Sequence, residues 1–249
     1  MSLKIFDNGI LRKKIQHKYS TVIDLQNLLT QTLQQRLSLF SKKFVSEVWH
    51  ELAGCRIEKY FVEVNPDMIP FRGVGFDLAC SAGPLMFTND VPGILKQWHQ
   101  ALRHNGVFMA SFIGENSLME LKECFFKIEE SFSVPHHLRF FPTIATKDAG
   151  MLMQRAGFYL PTADRIQHVF KVGSLGELLN ALKAMGGNIL YEKSNSAITR
   201  GFLKAVEKEY FNRYSCSGQL LVSIDIVCMT GWALKDNNEQ QIKNGMRYL

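Results

Sequence analysis

Residues 70–112 constrain the fold more than any other stretch of the chain. Pro70, Gly73 and Gly75 make a turn, and residues 76–80 (Phe76, Asp77, Leu78, Ala79, Cys80) follow as a short apolar run without helix period. Such a run, bounded by turn residues, reads as a strand buried on both faces. The small residues Ser81, Ala82 and Gly83 come next. A helix then starts at Asp90-Val91-Pro92, with Ile94, Leu95, Trp98, Ala101 and Leu102 on one apolar face. His104-Asn105-Gly106 ends it, and residues 107–112 are extended again. Strand, helix and strand in this order require a parallel crossover, which is normally right-handed, and place the chain in the α/β class. Ligands of such sheets sit beyond the carboxyl ends of the strands, here near residues 81–83 and near Gly114.

The surrounding elements follow from periodicity. A helix is expected over residues 22–40, with Leu25, Leu28, Leu29, Leu33, Leu37 and Phe40 on one side. Phe44, Val45, Val48, Trp49 and Leu52 recur at helix spacing up to Gly54, a C-terminal helix glycine, so residues 44–54 read as a second helix, the alternative being a first strand. Residues 57–64 alternate as a strand does. Ser117 and Glu120 form a capping-box pattern opening a helix to about residue 132, and Ser174 and Glu177 form another. Further helices are expected over 146–156, from 174 to Gly186-Gly187, and over 196–214. Residues 158–172 and 220–230 are extended, and the tail after Trp232 is polar.

The chain has 249 residues, enough for one large domain or a domain with an added subdomain. Five scattered cysteines with no C-x-x-C pair point to a reducing cytoplasm and no structural zinc. The net charge is +6, densest at Arg12-Lys13-Lys14 and His17-Lys18. That cluster is either an ordinary solvated basic surface or a docking patch for an acidic protein partner or a membrane surface, and no nucleic-acid motif accompanies it. No apolar run is long enough to span a bilayer, and Met1 opens no signal-peptide pattern.

Phosphate cradles of the G-x-G-x-x-G and G-x-x-x-x-G-K-[ST] types are absent, and so is the G-x-S-x-G elbow. His136-His137 is the only adjacent histidine pair, and neighbours in a loop rarely converge on one metal. His50 and His99 read as surface or boundary residues on helices, and His168 as a core histidine on a strand. Glu115, Asn116 and Ser117 lie at a strand's carboxyl end. Helix capping accounts for Asn116 or Ser117, and a place at the ligand-binding edge is the sharper reading.

Several motifs carry a resemblance. Asp77-Leu78 opening a strand, Asn89-Asp90 starting a helix, and Leu102-Arg103-His104-Asn105-Gly106-Val107-Phe108 resemble the second half of a Rossmann-like methyltransferase domain dependent on S-adenosylmethionine. Ile5-Phe6-Asp7 with Leu11-Arg12 resembles the complex I assembly factor five family and its alphaproteobacterial relatives. So do Gly114 to Lys122, Lys147 to Leu152, Arg155-Ala156-Gly157-Phe158, Met185-Gly186 and Met229-Thr230-Gly231-Trp232. The matches run in order over nearly the whole chain.

The resemblance implies an α/β, Rossmann-like methyltransferase sheet that is incomplete in its N-terminal half. It divides the chain into a basic, helical segment at 1–40 and a truncated methyltransferase-like domain at 41–249, with a helical insertion at about 174–214. Family members have a glycine-rich loop, roughly D-x-G-C-G-x-G, after the first strand and an acidic residue after the second. Here Trp49-His50-Glu51-Leu52-Ala53-Gly54 stands where the loop should be, and residues 60–71 already resemble the third strand and its exit. The crossover helix and second strand are missing. Of a cofactor pocket for S-adenosylmethionine there would remain Asn65, Pro66 and Asp67 near the adenine, with Cys80, Ser81, Ala82 and Gly83 beneath. Gly114, Glu115, Asn116, Ser117 and His136 would face a substrate or partner. No catalytic residue and no metal ligand is assigned.

The function implied is that of a degenerate methyltransferase-fold protein binding a complex I subunit or assembly intermediate. It would work in a bacterial cytoplasm or against the inner membrane. The alternatives are an active methyltransferase or arginine hydroxylase acting on a protein, and a carrier-protein methyltransferase like that of biotin synthesis.

Overall fold

The computed structural model describes residues 24–52, 54–57, 60–62, 66–71, 73, 75–132, 142–184 and 199–235. The basic N-terminal cluster, Asn65, the His136-His137 pair, Gly186-Gly187 and the polar tail lie outside these residues.

Helix α1 spans Leu25–Leu37 and is capped by the Asp24 carboxylate. Strand β1 (Glu47–Glu51) leads into β2 (Gly54–Ile57) and β3 (Tyr60–Val62), and β4 is Phe76–Ala82. Helix α2 (Val91–Ala101) follows, capped by Asp90, and then β5 (Leu102–Ile113). Helices α3 (Met119–Ser131) and α4 (Thr146–Arg155) precede β6 (Tyr159–Val172). Helices α5 (Leu175–Ala184) and α6 (Arg200–Tyr214) come before the short β7 (Ser215–Cys216) and the long β8 (Gln219–Ala233).

The strands form one sheet of order β3-β2-β1-β4-β5-β8-β6, with β7 on β8. β1, β4 and β5 run parallel at its centre, and β8 runs antiparallel to both β5 and β6. This is the mixed α/β sheet that the strand–helix–strand pattern demanded. Two apolar cores lie on its faces. Leu78, Cys80, Val107 and Met109 point into one, against Leu25, Leu29 and Leu33 of α1 and the inner faces of α3, α5 and α6. Ala79, Phe108, Ala110 and Phe112 point into the other, against Ile94, Leu95 and Trp98 of α2 and Met153 of α4.

The segment read as a helix over 44–54 is instead β1, the alternative. Three hydrogen bonds with Asp77 override its helical spacing. The Val45 and Ser46 N–H groups donate to Asp77 Oδ2 at 3.1 and 3.2 Å, and the Asp77 N–H donates to the Ser46 carbonyl at 2.8 Å. Asp77 is fully buried and also pairs with Arg103. Residues 47–51 then pair with 78–82 in parallel, and alternation replaces the helix period: Val48 and His50 are buried, Glu47, Trp49 and Glu51 half-buried. His50 is therefore no boundary residue. It is 1% exposed, 5.6 Å from the Trp98 ring, and burial lowers its pKa to about 3.

The chain reverses directly after β1, with Glu51 opposite Gly54. Of the strand expected over 57–64, Ile57 ends β2 and Tyr60–Val62 form β3, the two strands pairing antiparallel, and residues 58, 59, 63 and 64 lie outside the described residues. No helix lies between β1 and β2.

Candidate functional site

The edge formed by the carboxyl ends of β1, β4 and β5 is where a sheet of this kind holds ligands. β4 ends in Cys80, Ser81 and Ala82, all fully buried. Burial, with the charge of Glu47 adding to it, holds the Cys80 thiol well above the usual range, so it stays protonated and unreactive. Ser81 pairs in register with His50, and neither Ser81 Oγ nor His50 Nδ1 finds a hydrogen-bond partner among the described residues. Gly83 has φ +103°, which favours glycine, and its N–H donates to the Ser111 carbonyl at 2.9 Å.

Side chains close over this edge. A Cβ on Gly83 would lie 3.1 Å from Leu52 Cγ and 3.3 Å from Leu29 Cδ1. The Gln26 amide joins the two strand ends: Nε2 donates to the Ala82 carbonyl at 3.3 Å, and Oε1 accepts the Leu52 N–H at 3.1 Å. Ser111 Oγ donates to the Leu29 carbonyl at 3.0 Å, fixing α1 across the same edge. Leu52, Leu29 and Gln26 stand where a glycine-rich turn would leave open backbone. Nothing in the pattern of the sequence singled out Gln26, because its role depends on where α1 docks.

Asp67 is committed to the loop before β4. Its carboxylate accepts the Asn89 backbone N–H and the Asn89 Nδ2–H, the latter at 2.9 Å, and its carbonyl accepts from Gln97 Nε2 at 3.3 Å. Pro66 is buried, and its carbonyl accepts from Thr88 Oγ1 at 3.2 Å. These contacts tie the loop to the start of α2.

The second predicted cluster lies beyond β5. The Gly114 N–H donates to the Asp225 carbonyl at 2.7 Å, and a Cβ there would meet Val227 at 2.7 Å, so glycine is required by close approach. Ser117 caps no helix. Its hydroxyl donates to the Asp225 carbonyl at 3.1 Å and accepts the Asp225 N–H at 2.8 Å. Glu120, the expected other half of the capping box, binds the Ser223 N–H and hydroxyl instead. The helix starts one residue later, from Leu118 in the left-handed region at φ +59°. β8 extends past the end of β5, and its free backbone groups outcompete the helix end for Ser117 and Glu120. Exposed Glu115 offers its carbonyl to Lys122 Nζ at 2.9 Å.

This arrangement surrounds a carboxylate that sequence reasoning passed over. Asp225 is 1% exposed, and its Oδ2 accepts from Asn116 Nδ2 at 3.3 Å and pairs with Arg165 Nη1 at 3.4 Å. Oδ1 has no partner among the described residues. The signal was present, since Asp225 interrupts the apolar run over 220–230. Among the described residues no group of three or more His, Cys, Asp or Glu could hold a metal ion, and no helix is long and apolar enough to cross a membrane.

No protein-family profile matches the chain. It is similar to "Arginine-hydroxylase NDUFAF5, mitochondrial" of Danio rerio, with 28% identity over 189 residues that cover 74% of this chain and 58% of that protein. The Mus musculus protein of the same name is 30% identical over 187 residues, covering 73% of this chain and 53% of its own length. A malonyl-[acyl-carrier protein] O-methyltransferase of Xylella fastidiosa is 26% identical over 166 residues, covering 66% of this chain and 54% of that enzyme. The chain thus spans little more than half the length of the curated relatives it matches. In fold it is similar to the crystal structure of a protein from Bacillus halodurans assigned as a methyltransferase. The TM-score is 0.51 at 12% identity, over 82% of this chain and 99% of that one. The sheet order, the parallel β4–α2–β5 unit and these matches agree: the chain is a Rossmann-like, methyltransferase-like homologue of the proteins named NDUFAF5.

Proposed function

We propose that this chain is a degenerate methyltransferase-fold protein that acts by binding another protein in the assembly of respiratory complex I. The observation that carries the reading is the sealed edge between β1 and β4. An ordinary S-adenosylmethionine site needs open backbone after the first strand and an acidic residue after a parallel second strand. Here β1 turns directly into antiparallel β2, and Leu52, Leu29 and Gln26 take the space above Gly83. The residues of this edge do not fit the cofactor. On this reading the ribose also lacks an acidic partner, at a cost of about 1.5–3 kcal/mol, and the filled space adds to that. The complex I partner rests on the resemblance of the motifs from Ile5 to Trp232 and on the NDUFAF5 homologues. We place the protein in the cytoplasm, where its basic N-terminus would meet an acidic partner or membrane surface.

Calorimetric titration with S-adenosylmethionine and with its demethylated product tests this reading. We expect no heat and no thermal shift at millimolar ligand. Binding in the micromolar range overturns it, since a ligand at 100 times its Kd would stabilise the protein by about 2.7 kcal/mol. A pull-down against purified complex I subunits tests the partner.

A second reading, an enzyme acting on a protein substrate, is favoured by Asp225. A buried carboxylate with one oxygen unsatisfied among the described residues, beside Asn116 and Arg165 at the carboxyl end of β5, has the features of a functional group. Methyl transfer, or the arginine hydroxylation in the relatives' names, would be its activity. The same titration separates the two.

A further inference from the structure

Right-handed crossovers tie the face a helix covers to the direction in which the chain crosses the sheet. From β4 to β5 the chain moves away from β1, and α2 lies on the face of Trp98 and Phe108. A crossover from β1 outward moves the other way, so its helix belongs on the opposite face. That face of β1 carries Glu47, Trp49 and Glu51, with Arg56 of β2 beside Trp49. The hairpin from β1 to β2 has no such helix, and α1 packs over β4 and β5. What remains is an open groove of about 470 Å³ lined by Gln34, Leu37, Val45, Glu47, Trp49 and Arg56. Val45 on its rim is 84% exposed, as is nearby Leu39.

We propose that this groove is a docking site for one amphipathic helix of a partner protein, which takes the place of the missing crossover helix. This deepens the protein-binding reading and rests on it. The chemistry of the occupant follows from the lining. Leu37, Val45 and Trp49 call for an apolar stripe. Arg56 is paired with Glu51 at 2.8 Å, whereas Glu47 has no cation at ion-pair distance among the described residues, only the Trp49 Nε1–H at 3.4 Å. The partner helix therefore carries a Lys or Arg beside its stripe, to meet Glu47. The chain's own residues before Asp24 join α1 at the end that packs on the β4 edge, about 20 Å along the helix from Leu37 in the groove.

The test uses the full chain and a fluorescein-labelled, lactam-stapled helical peptide of about four turns. It has Leu at i, i+4, i+7 and i+11 and one Lys flanking that stripe. We expect saturable binding in the micromolar range, at least tenfold weaker binding of the Lys→Glu peptide, and loss of binding in Trp49→Ala. Glu47→Lys reverses the preference between the two peptides, a result that a misfolded variant could not produce. No saturable binding, or equal binding by both peptides, overturns the proposal. So does a dimer in light scattering that Trp49→Ala dissolves, which would make a second copy the occupant. Trp49 shielded from iodide quenching in the free monomer, judged against Trp49→Phe, would assign the groove to the chain's own terminus and overturn it too. Peptide binding together with micromolar S-adenosylmethionine binding leaves the groove standing and removes the degenerate reading. Capture of a complex I subunit that ignores Trp49→Ala does the reverse.

Discussion

On β4 and β5 both faces of the sheet are covered, by α1 on one side and by α2 and α4 on the other. On β1 only one face is. Neighbouring residues of that strand record the difference: His50 is 1% exposed beneath Trp98, while Trp49, pointing the other way, is half-buried at the edge of a groove. A crossover helix both connects strands and covers a face. With β1 running directly into β2, the strand stays in the sheet, because it still pairs with β4 along its whole length, but its outer face is left open. The β4–β5 half is built for stability, and the β1–β3 half has surface to spare.

Two tryptophans test that contrast most strongly. Trp98 is fully buried and stacks on Phe108 with ring centroids 6.1 Å apart. Trp98→Ala should cost about 3–5 kcal/mol in urea unfolding. Trp49→Ala, on the open face, should cost about 1 kcal/mol or less. Equal losses would mean that the β1 face is as well packed as the other, and the contrast would fail.

The next effect is in pH. His50 is held neutral in the fold, its pKa lowered from 6.5 to about 3 by burial. The unfolded chain binds a proton near pH 6.5 and the folded chain does not. Stability is therefore complete above pH 6.5 and falls as the pH drops from 6.5 toward 3, by about 1.4 kcal/mol per unit, or nearly 3 kcal/mol by pH 4.5. His50→Leu should flatten that part of the stability curve. An unchanged slope would mean that β1 opens readily enough for His50 to meet water.

The legible parts of the fold were those set by local pattern. The strand expected at 76–80, the helix capped by Asp90 and the strand expected at 107–112 came through, found at 76–82, 91–101 and 102–113, because burial on both faces leaves a continuous apolar run. His104-Asn105-Gly106, read as the helix end, lies inside the second strand. Residues 44–54 misled because Phe44, Val45, Val48, Trp49 and Leu52 fit a helix, and only the Asp77 carboxylate, 31 residues away, takes the backbone N–H groups of 45 and 46 out of one. Ser117 and Glu120 misled in the same way, since their partners on β8 are more than 100 residues distant. The missing glycine-rich loop could be read directly. What fills its place could not, because Gln26 and Leu29 reach it only through the docking of α1.

Ser117 probes the well-built half at smaller scale. Its hydroxyl is buried and both donates to and accepts from the Asp225 backbone. Ser117→Ala leaves a buried N–H without its acceptor and should cost about 1–3 kcal/mol, with faster amide exchange at Asp225 as the local sign. No change in exchange would mean that β8 holds its end beyond β5 without this clamp.

The smallest effect is expected at the sealed edge, where it also bears on function. Gln26 is half-buried and joins Leu52 to Ala82 through 3.1 and 3.3 Å hydrogen bonds. Both are long, and water can replace the amide at a partly exposed edge, so Gln26→Ala should cost about 0.5–1.5 kcal/mol. On the proposed binding-protein reading it should not produce S-adenosylmethionine binding in calorimetry. Removing the amide clears one of three side chains, while Leu52 still covers Gly83 and β1 still turns directly into an antiparallel partner. Micromolar binding after this one change would mean that the edge is a cofactor site closed by a latch, and the two halves of the sheet would differ in regulation rather than in what they lost.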